Sequence, residues 1–469
     1  MSAMESRQAV TRTSKWPVLW SNKWRRGRYM LIRVVGIALV LIALVGGGSR
    51  LFAGTNEPVR IVAVGPEPEA VSTDALTHRA FVINQGDRSL DVIDTETGST
   101  MRTVALPVNL GVMAVDTRTA RVFVANTGDD VGGVIHAARS VMVLDARDGQ
   151  VVRVVQTGVL PQAITVDDAL GRVYVGTATA SGEAVQILAA SNGALLRTVV
   201  LGRTMGQVDP LSPPSPCAVD IDARHNRVIV AGSASSSLYV VDAKSGHVIR
   251  STFIPIRLCP QGAETLAVSE GTGHTFIGIG FPTNRVLMFD TRSGKLLHTT
   301  TYQRRSDEPR AIAVDEDTTR IFLLTGIFGG DSVQVLDAHS GTNLRTIARG
   351  QEYDAIAVDT RKHLALLSSV DTTRRAISDQ WGWIPGSIRQ RLPFLPPPPS
   401  SRRNAGRIDV IDTRTGRLVR VFLLPTAPRA LIINESGGRA FALSAAPTGP
   451  IGNSGRVTGR GMMAIINLP

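Results

Sequence analysis

The sequence predicts an all-β chain folded as a β-propeller of four-stranded blades, and three observations carry that expectation. A short turn motif recurs along the chain: Asp94 to Gly98 (DTETG), Asp145 to Gly149 (DARDG), Ala189 to Gly193 (AASNG), Asp242 to Gly246 (DAKSG), Asp290 to Gly294 (DTRSG), Asp337 to Gly341 (DAHSG) and Asp412 to Gly416 (DTRTG). Its glycines lie 51, 44, 53, 48, 47 and 75 residues apart, and a period of roughly 40 to 50 residues is that of a propeller blade. Each motif joins two alternating apolar runs, as Val333-Gln334-Val335-Leu336 and Leu344-Arg345-Thr346-Ile347 do, which is the pattern of strand, tight turn, strand. Finally, the two ends of the repeat region complement each other. Val59 to Val64 reads as an outer strand with no blade before it, and Met462 to Leu468 as a third strand with no fourth after it. Pairing them completes a blade from both ends and removes two open sheet edges.

Within the turn, Asp accepts hydrogen bonds from its own downstream backbone, and Gly takes the left-handed conformation that a Cβ resists. The recurring aspartates are therefore read as structural rather than as metal ligands. Innermost strands are expected to start near Glu69, Val112, Gln162, Ala218, Thr265, Arg310, Asp354 and Arg429, which makes eight blades. The count falls to seven if the interrupted blade at 353 to 425 is degenerate.

The N-terminal 58 residues have a different character. Residues 1 to 28 form a basic tail with Trp16, Trp20 and Trp24 at four-residue spacing. Residues 29 to 48 are apolar except for Arg33, long enough for a transmembrane signal anchor if Arg33 reaches the interface, and otherwise the core of a signal peptide. Either reading leaves the basic side cytoplasmic and exports the propeller, so the expected localisation is the cell membrane, single-pass, with the propeller on the extracytoplasmic side. Residues 49 to 58 are a linker, and residues 59 to 469 are the propeller, with an insertion at 371 to 406.

Charge follows the same division. The net charge of +12 is made up of +7 in residues 1 to 58 and +5 in residues 371 to 407, leaving the rest of the propeller formally neutral. A neutral body argues against a nucleic-acid binder in spite of the high overall charge. Two cysteines, Cys217 and Cys259, stand before the innermost strands of consecutive blades and form a disulfide candidate. The eight histidines are scattered singly, so neither a metal site nor any other cofactor is expected.

Phe81-Val82-Ile83-Asn84, Phe123-Val124-Ala125-Asn126-Thr127 and Tyr174-Val175-Gly176-Thr177, each followed by a Val-Ile-Asp-type strand and a Thr-Gly-type turn, resemble the YVTN-type β-propeller repeats of bacterial and archaeal envelope proteins. The resemblance spans about residues 59 to 469, and the uneven periods and long insertions depart from the regular pattern. It implies a propeller related to the lactonase-like and WD-repeat-like classes and speaks to fold far more than to function.

In such a propeller the turns after the first and third strands of each blade lie on one face, here called lower, and the remaining connections lie on the upper face. All of the long connections are expected on the upper face: 128 to 139, 203 to 216, 255 to 262, 303 to 309, 371 to 406 and 447 to 460. Long loops confined to one face of a repeat array mark the binding face. The candidate contact residues are Arg374, Arg375, Trp381, Trp383, Arg389, Arg391 and Phe394 of the insertion, with Arg257, Arg304, Arg305 and Asp209 from neighbouring upper loops. Arginine and aromatic side chains are the residue types that anchor protein interfaces.

The function this supports is a membrane-anchored extracytoplasmic binding or scaffolding module, contacting an envelope protein or a polar ligand through its upper face. Two alternatives stand beside it. One is a lactonase-like or other hydrolytic enzyme with its site at the channel mouth, for which no local catalytic motif is present. The other is single-stranded nucleic-acid binding. An enzyme is the less favoured reading, and no catalytic residue is assigned.

Overall fold

The computed structural model describes residues 59–106, 110–126, 129–131, 134–136, 139–202, 216–233, 235–255, 266–280, 283–302, 308–326, 331–351, 353–370, 405–445 and 459–469. They form eight four-stranded antiparallel sheets and one two-stranded hairpin. Blade 1 consists of Pro68–Asp74, Arg79–Asn84, Ser89–Asp94 and Thr100–Ala105, in that order from the centre outward. Blades 2 to 7 repeat the arrangement, with innermost strands Leu110–Asp116, Val159–Asp167, Pro216–Asp222, Leu266–Ser269, Pro309–Asp315 and Tyr353–Asp359. The hairpin, Asp129–Val131 with Val134–His136, is inserted between the second and third strands of blade 2.

Blade 8 is assembled from both ends of the propeller region. Its inner three strands are Pro428–Asn434, Arg439–Ser444 and Gly461–Asn467, and its outer strand is Arg60–Val64, which pairs from Arg60↔Ile465 to Val64↔Gly461. Ring closure by the N-terminal strand is thus as the sequence indicates. The innermost strands touch their neighbours all the way round, from blade 1 to blade 8 and back to blade 1. The count is eight, and the interrupted blade is whole: Tyr353–Asp359, Leu364–Val370, Gly406–Asp412 and Leu418–Leu424 form one sheet, and the ladder of Leu364–Val370 on Gly406–Asp412, across the insertion, is unbroken.

The hydrophobic core lies between blades. The third residue of the second strand is Phe81, Phe123, Tyr174, Phe276, Phe322 or Phe441 in six blades, each completely buried. At the closure, Val62 and Val64 of the N-terminal strand join Phe441, Met463 and Ile465 of blade 8 and Val71, Val82 and Ile93 of blade 1 in one apolar cluster. Alternation along the strands places one set of side chains against each neighbouring sheet, so blades stabilise one another.

The turn motif does what its residues suggest. In blade 1 the Asp94 carboxylate accepts the N–H of Glu96 at 3.0 Å, the N–H of Thr97 at 2.8 Å and the Thr97 hydroxyl at 2.9 Å. The Thr97 N–H is the chief cause holding the Asp94 carboxyl below its usual range. The turn glycines all have φ between 66° and 72°.

A second role for this turn was not visible in the sequence. Its carbonyls receive arginines from the preceding blade: Arg102 donates to Asp148 O at 3.2 Å, Arg172 to Lys244 O at 2.6 Å, Arg345 to Thr415 O at 3.0 Å, and Arg439 to Thr95 O at 3.0 Å across the closure. Several of these arginines open second strands. In blades 1, 2 and 4 that opening arginine also pairs with its own blade's turn aspartate, as Arg79–Asp94 at 2.7 Å, Arg121–Asp145 at 2.7 Å and Arg227–Asp242 at 3.1 Å.

Candidate functional site at the channel mouth

Strand boundaries sort the connections by face. Lower turns are short in every blade, such as Asp116 to Arg121 and Asp222 to Arg227. Each long gap between strands opens on the upper side: after Asn126, Gly202, Phe253, Thr301, Val370 and Ser444. Among the described strands, connections of unequal length are therefore gathered on the upper side.

At the upper rim the innermost strands share an irregularity. In blade 1, Pro68 pairs with Asn84 and Ala70 with Ile83, so Glu69 is an extra residue in the ladder. The same β-bulge leaves Gly111, Cys217, Arg310, Asp354 and Arg429 as the extra residues of blades 2, 4, 6, 7 and 8. In blade 3 the register breaks over a longer stretch that ends at Ala163 and contains Gln162. Proline often starts the bulged strand because a first residue has no ladder N–H to lose. A bulge re-aims the side chain it carries and ends pairing at a sheet rim.

The bulge residues form a polarised ring. Glu69, Gln162, Arg310, Asp354 and Arg429 are exposed. Going round blades 6, 7, 8 and 1, the charges alternate as Arg310, Asp354, Arg429 and Glu69, whereas blades 2 to 4 present Gly111, Gln162 and Cys217. Arg310 also donates to Tyr353 O of the next blade at 3.4 Å. The next residue inward is small in most blades: Ala70, Ala163, Ala218, Ala311, Ala355 and Ala430. Charge thus occupies one arc of the rim, and Ala70, Ala218, Ala311, Ala355 and Ala430 pack against the interblade cores beneath it.

Deeper along blade 4, Asp220 accepts the N–H of Ile221 at 2.9 Å and that of Val268 in blade 5 at 3.1 Å. Burial pushes its carboxyl up to about 6 against those two donors, and Glu270 and Asp222 add repulsion. At the lower mouth the acids serve the fold. Glu270 accepts Ala223 N–H at 2.9 Å, Glu316 accepts Glu270 N–H at 2.9 Å, and Glu435 accepts Thr360 N–H at 2.8 Å, each capping the turn of the preceding blade. The two mouths therefore differ in composition: these lower acids cap backbone turns of the preceding blade, and the upper bulges carry exposed side chains of both signs.

Of the residues singled out from sequence, Cys217 lies in the described structure. It is buried, its Sγ is 3.4 Å from Ala231 O, and it carries no free thiol. Its candidate partner Cys259 lies outside the described residues, as do Arg257, Arg304, Arg305, Asp209, Arg374, Arg375, Trp381, Trp383, Arg389, Arg391 and Phe394. So does the apolar segment 29 to 48; among the described residues no helix is long and apolar enough to cross a membrane. No group of metal-ligating side chains occurs among the described residues. Reading the sequence missed Glu69, Gln162, Asp354 and Arg429 as rim residues. The signal for Glu69, Gln162 and Arg429 was the recurring Pro-x-Ala of Pro68 to Ala70, Pro161 to Ala163, Pro216 to Ala218, Pro309 to Ala311 and Pro428 to Ala430; Asp354 stands in Tyr353 to Ala355, without the proline.

The fold has solved counterparts. The chain is similar to BamB from Moraxella catarrhalis at 12% identity and TM-score 0.54, over 87% of this chain and 99% of that one. It is similar to Saccharomyces cerevisiae Sqt1 at 10% identity and TM-score 0.57, over 88% and 98%. The RRP9 WD40 repeats align at 11% identity and TM-score 0.50, over 88% and 98%. At such identities the likeness establishes the propeller fold and nothing finer. No family model matches the chain, and no curated protein matches its sequence, so the YVTN-type resemblance rests on its motifs alone.

Proposed function

We propose that the chain is a membrane-anchored, extracytoplasmic propeller that binds a protein partner across its upper face, with residues 374 to 403 as a contact arm. The observation that carries this reading is the asymmetry between the faces. Every long connection leaves on the upper side, where the bulged innermost strands also begin, while the lower turns are short. A face that combines exposed side chains of both signs with long loops has both specificity and reach.

The apolar residues 29 to 48 support the anchor, and a ten-residue linker, at most about 35 Å when extended, separates them from the propeller. The Arg and Trp content of the arm suits an acidic or amphipathic protein surface.

The experiment uses the full chain, solubilised from membranes, as bait beside the same chain lacking 374 to 403. We expect both to fractionate with membranes and only the intact bait to retain a stoichiometric partner. An unchanged partner in the deletion variant, or recovery of the intact chain in the soluble fraction, would contradict the arm or the anchor respectively.

A further inference from the structure

Blades 1 to 7 join their third and outer strands by a lower turn, and blade 8 does not, because those two strands come from opposite ends of the propeller region. This difference leaves a chemical gap. The residue paired with the second-strand arginine is Asp94, Asp145 and Asp242 in blades 1, 2 and 4, and each makes an ion pair there. In blade 8 the arginine is Arg439 and its register partner is Asn467. The carboxylate of those three blades is replaced by a neutral amide at the seam; blade 3, where Arg172 faces Ala189, is the other blade whose second-strand arginine lacks one.

A cavity of about 60 Å³ lies at that place, lined by Arg60, Thr95, Glu96, Arg439, Ile465 and Asn467. It brings two guanidinium groups together, one from the closing strand and one from the second strand of blade 8. Each uses one donor on the turn of blade 1: Arg439 on Thr95 O at 3.0 Å, and Arg60 on Glu96 O. A guanidinium has five donors, so both retain N–H groups for an acceptor. Glu96 is the one acid on the wall. Its side chain is 60% exposed, and its carboxylate stands 3.6 Å from His78 Nδ1.

We propose that this seam cavity binds a small oxyanion of the phosphate class, which takes the position held by a turn aspartate elsewhere in the ring. Arg60 and Arg439 grip it from two sides, as arginine forks grip planar or tetrahedral oxyanions, and Asn467 donates through its amide. The bound anion ties the N-terminal strand to blade 8 and to the turn of blade 1, so it strengthens the ring at its one non-covalent joint. Free phosphate, sulfate and a phosphate monoester share this chemistry.

The test is thermal unfolding of the full chain in inorganic phosphate against chloride at matched ionic strength, with sulfate and methyl phosphate as further arms. Phosphate is expected to raise the midpoint by about 1–3 °C at concentrations well above its Kd. Asn467→Asp supplies the missing carboxylate from within, so it should raise the midpoint in chloride and abolish the phosphate increment. Glu96→Gln should enlarge the increment, and Arg439→Gln should remove it. General salting-out by phosphate acts on all variants alike, so an increment of equal size in wild type, Asn467→Asp and Arg439→Gln would overturn the proposal, as would no increment in wild type. If Arg439→Gln does not fold, the Asn467→Asp and Glu96→Gln comparison decides on its own.

Discussion

A chain that begins at Pro66, and so lacks the closing strand, is expected to lose about 5 kcal/mol or more of stability. Burial of Val62 and Val64, at about 1.5–3 kcal/mol each, is the larger part. The remainder comes from the ladder of Arg60–Val64 on Gly461–Asn467, at about 0.5–1.5 kcal/mol per hydrogen bond. Gly65 contributes as well: its N–H donates to the buried Asp91 carboxylate at 2.9 Å, and its carbonyl accepts Gly461 N–H at 3.0 Å. Loss of the strand bares the edge of Gly461–Asn467, and an unpaired edge invites association. Urea unfolding should therefore show a large drop in midpoint, together with concentration-dependent aggregation. A synthetic peptide of residues 58 to 66 added in trans should restore part of the midpoint. An unchanged midpoint would mean that the ring does not depend on this closure.

The second large effect is expected at the turn glycines. Gly149 has φ 69°, and a Cβ built there would lie 2.6 Å from Cγ2 of Val92, a completely buried residue of the preceding blade. Gly149→Ala combines the left-handed penalty of about 1–2 kcal/mol with overpacking of about 1–3 kcal/mol, so a total of about 2–5 kcal/mol is expected. Gly438 separates the two contributions. Its φ is 60°, but the nearest atom to an added Cβ is Nζ of Lys362 at 3.1 Å, the end of a long side chain that can shift while it keeps its bond to Leu468 O. Gly438→Ala should cost only the conformational part, about 1–2 kcal/mol. Equal losses in the two variants would show that the turn glycine is needed for its backbone alone and does not seat the preceding blade.

These two expectations also mark what the sequence disclosed and what it withheld. Turn, strand and closure were legible because each is local or terminal: Asp94 bonds to Thr97 three residues on, and Val59 to Val64 reads as a strand without a sheet. The interblade arginines were not legible, because Arg102 and Asp148 meet only after two blades have docked, and a lone exposed arginine in a strand carries no mark of its partner. The rim was half legible. Glu69, Arg310, Asp354 and Arg429 were placed as the starts of innermost strands, but they gained meaning as rim residues only from the bulge that turns them outward. Loop content followed the opposite course: the sequence names the Arg and Trp residues of the arm plainly, while the fold establishes where that arm leaves, at Val370, and where it returns, at Gly406.

Binding at the upper rim is the central claim, and site-specific photo-crosslinking tests it most directly. A photoreactive residue would replace Glu69 or Arg429 at the upper mouth, and Arg147 or His339 in exposed lower turns, with each variant irradiated in intact cells. The account predicts one discrete covalent adduct from both upper positions and none from the lower ones. Adducts from the lower turns, with the upper positions silent, would place the working face on the opposite side of the ring and contradict it.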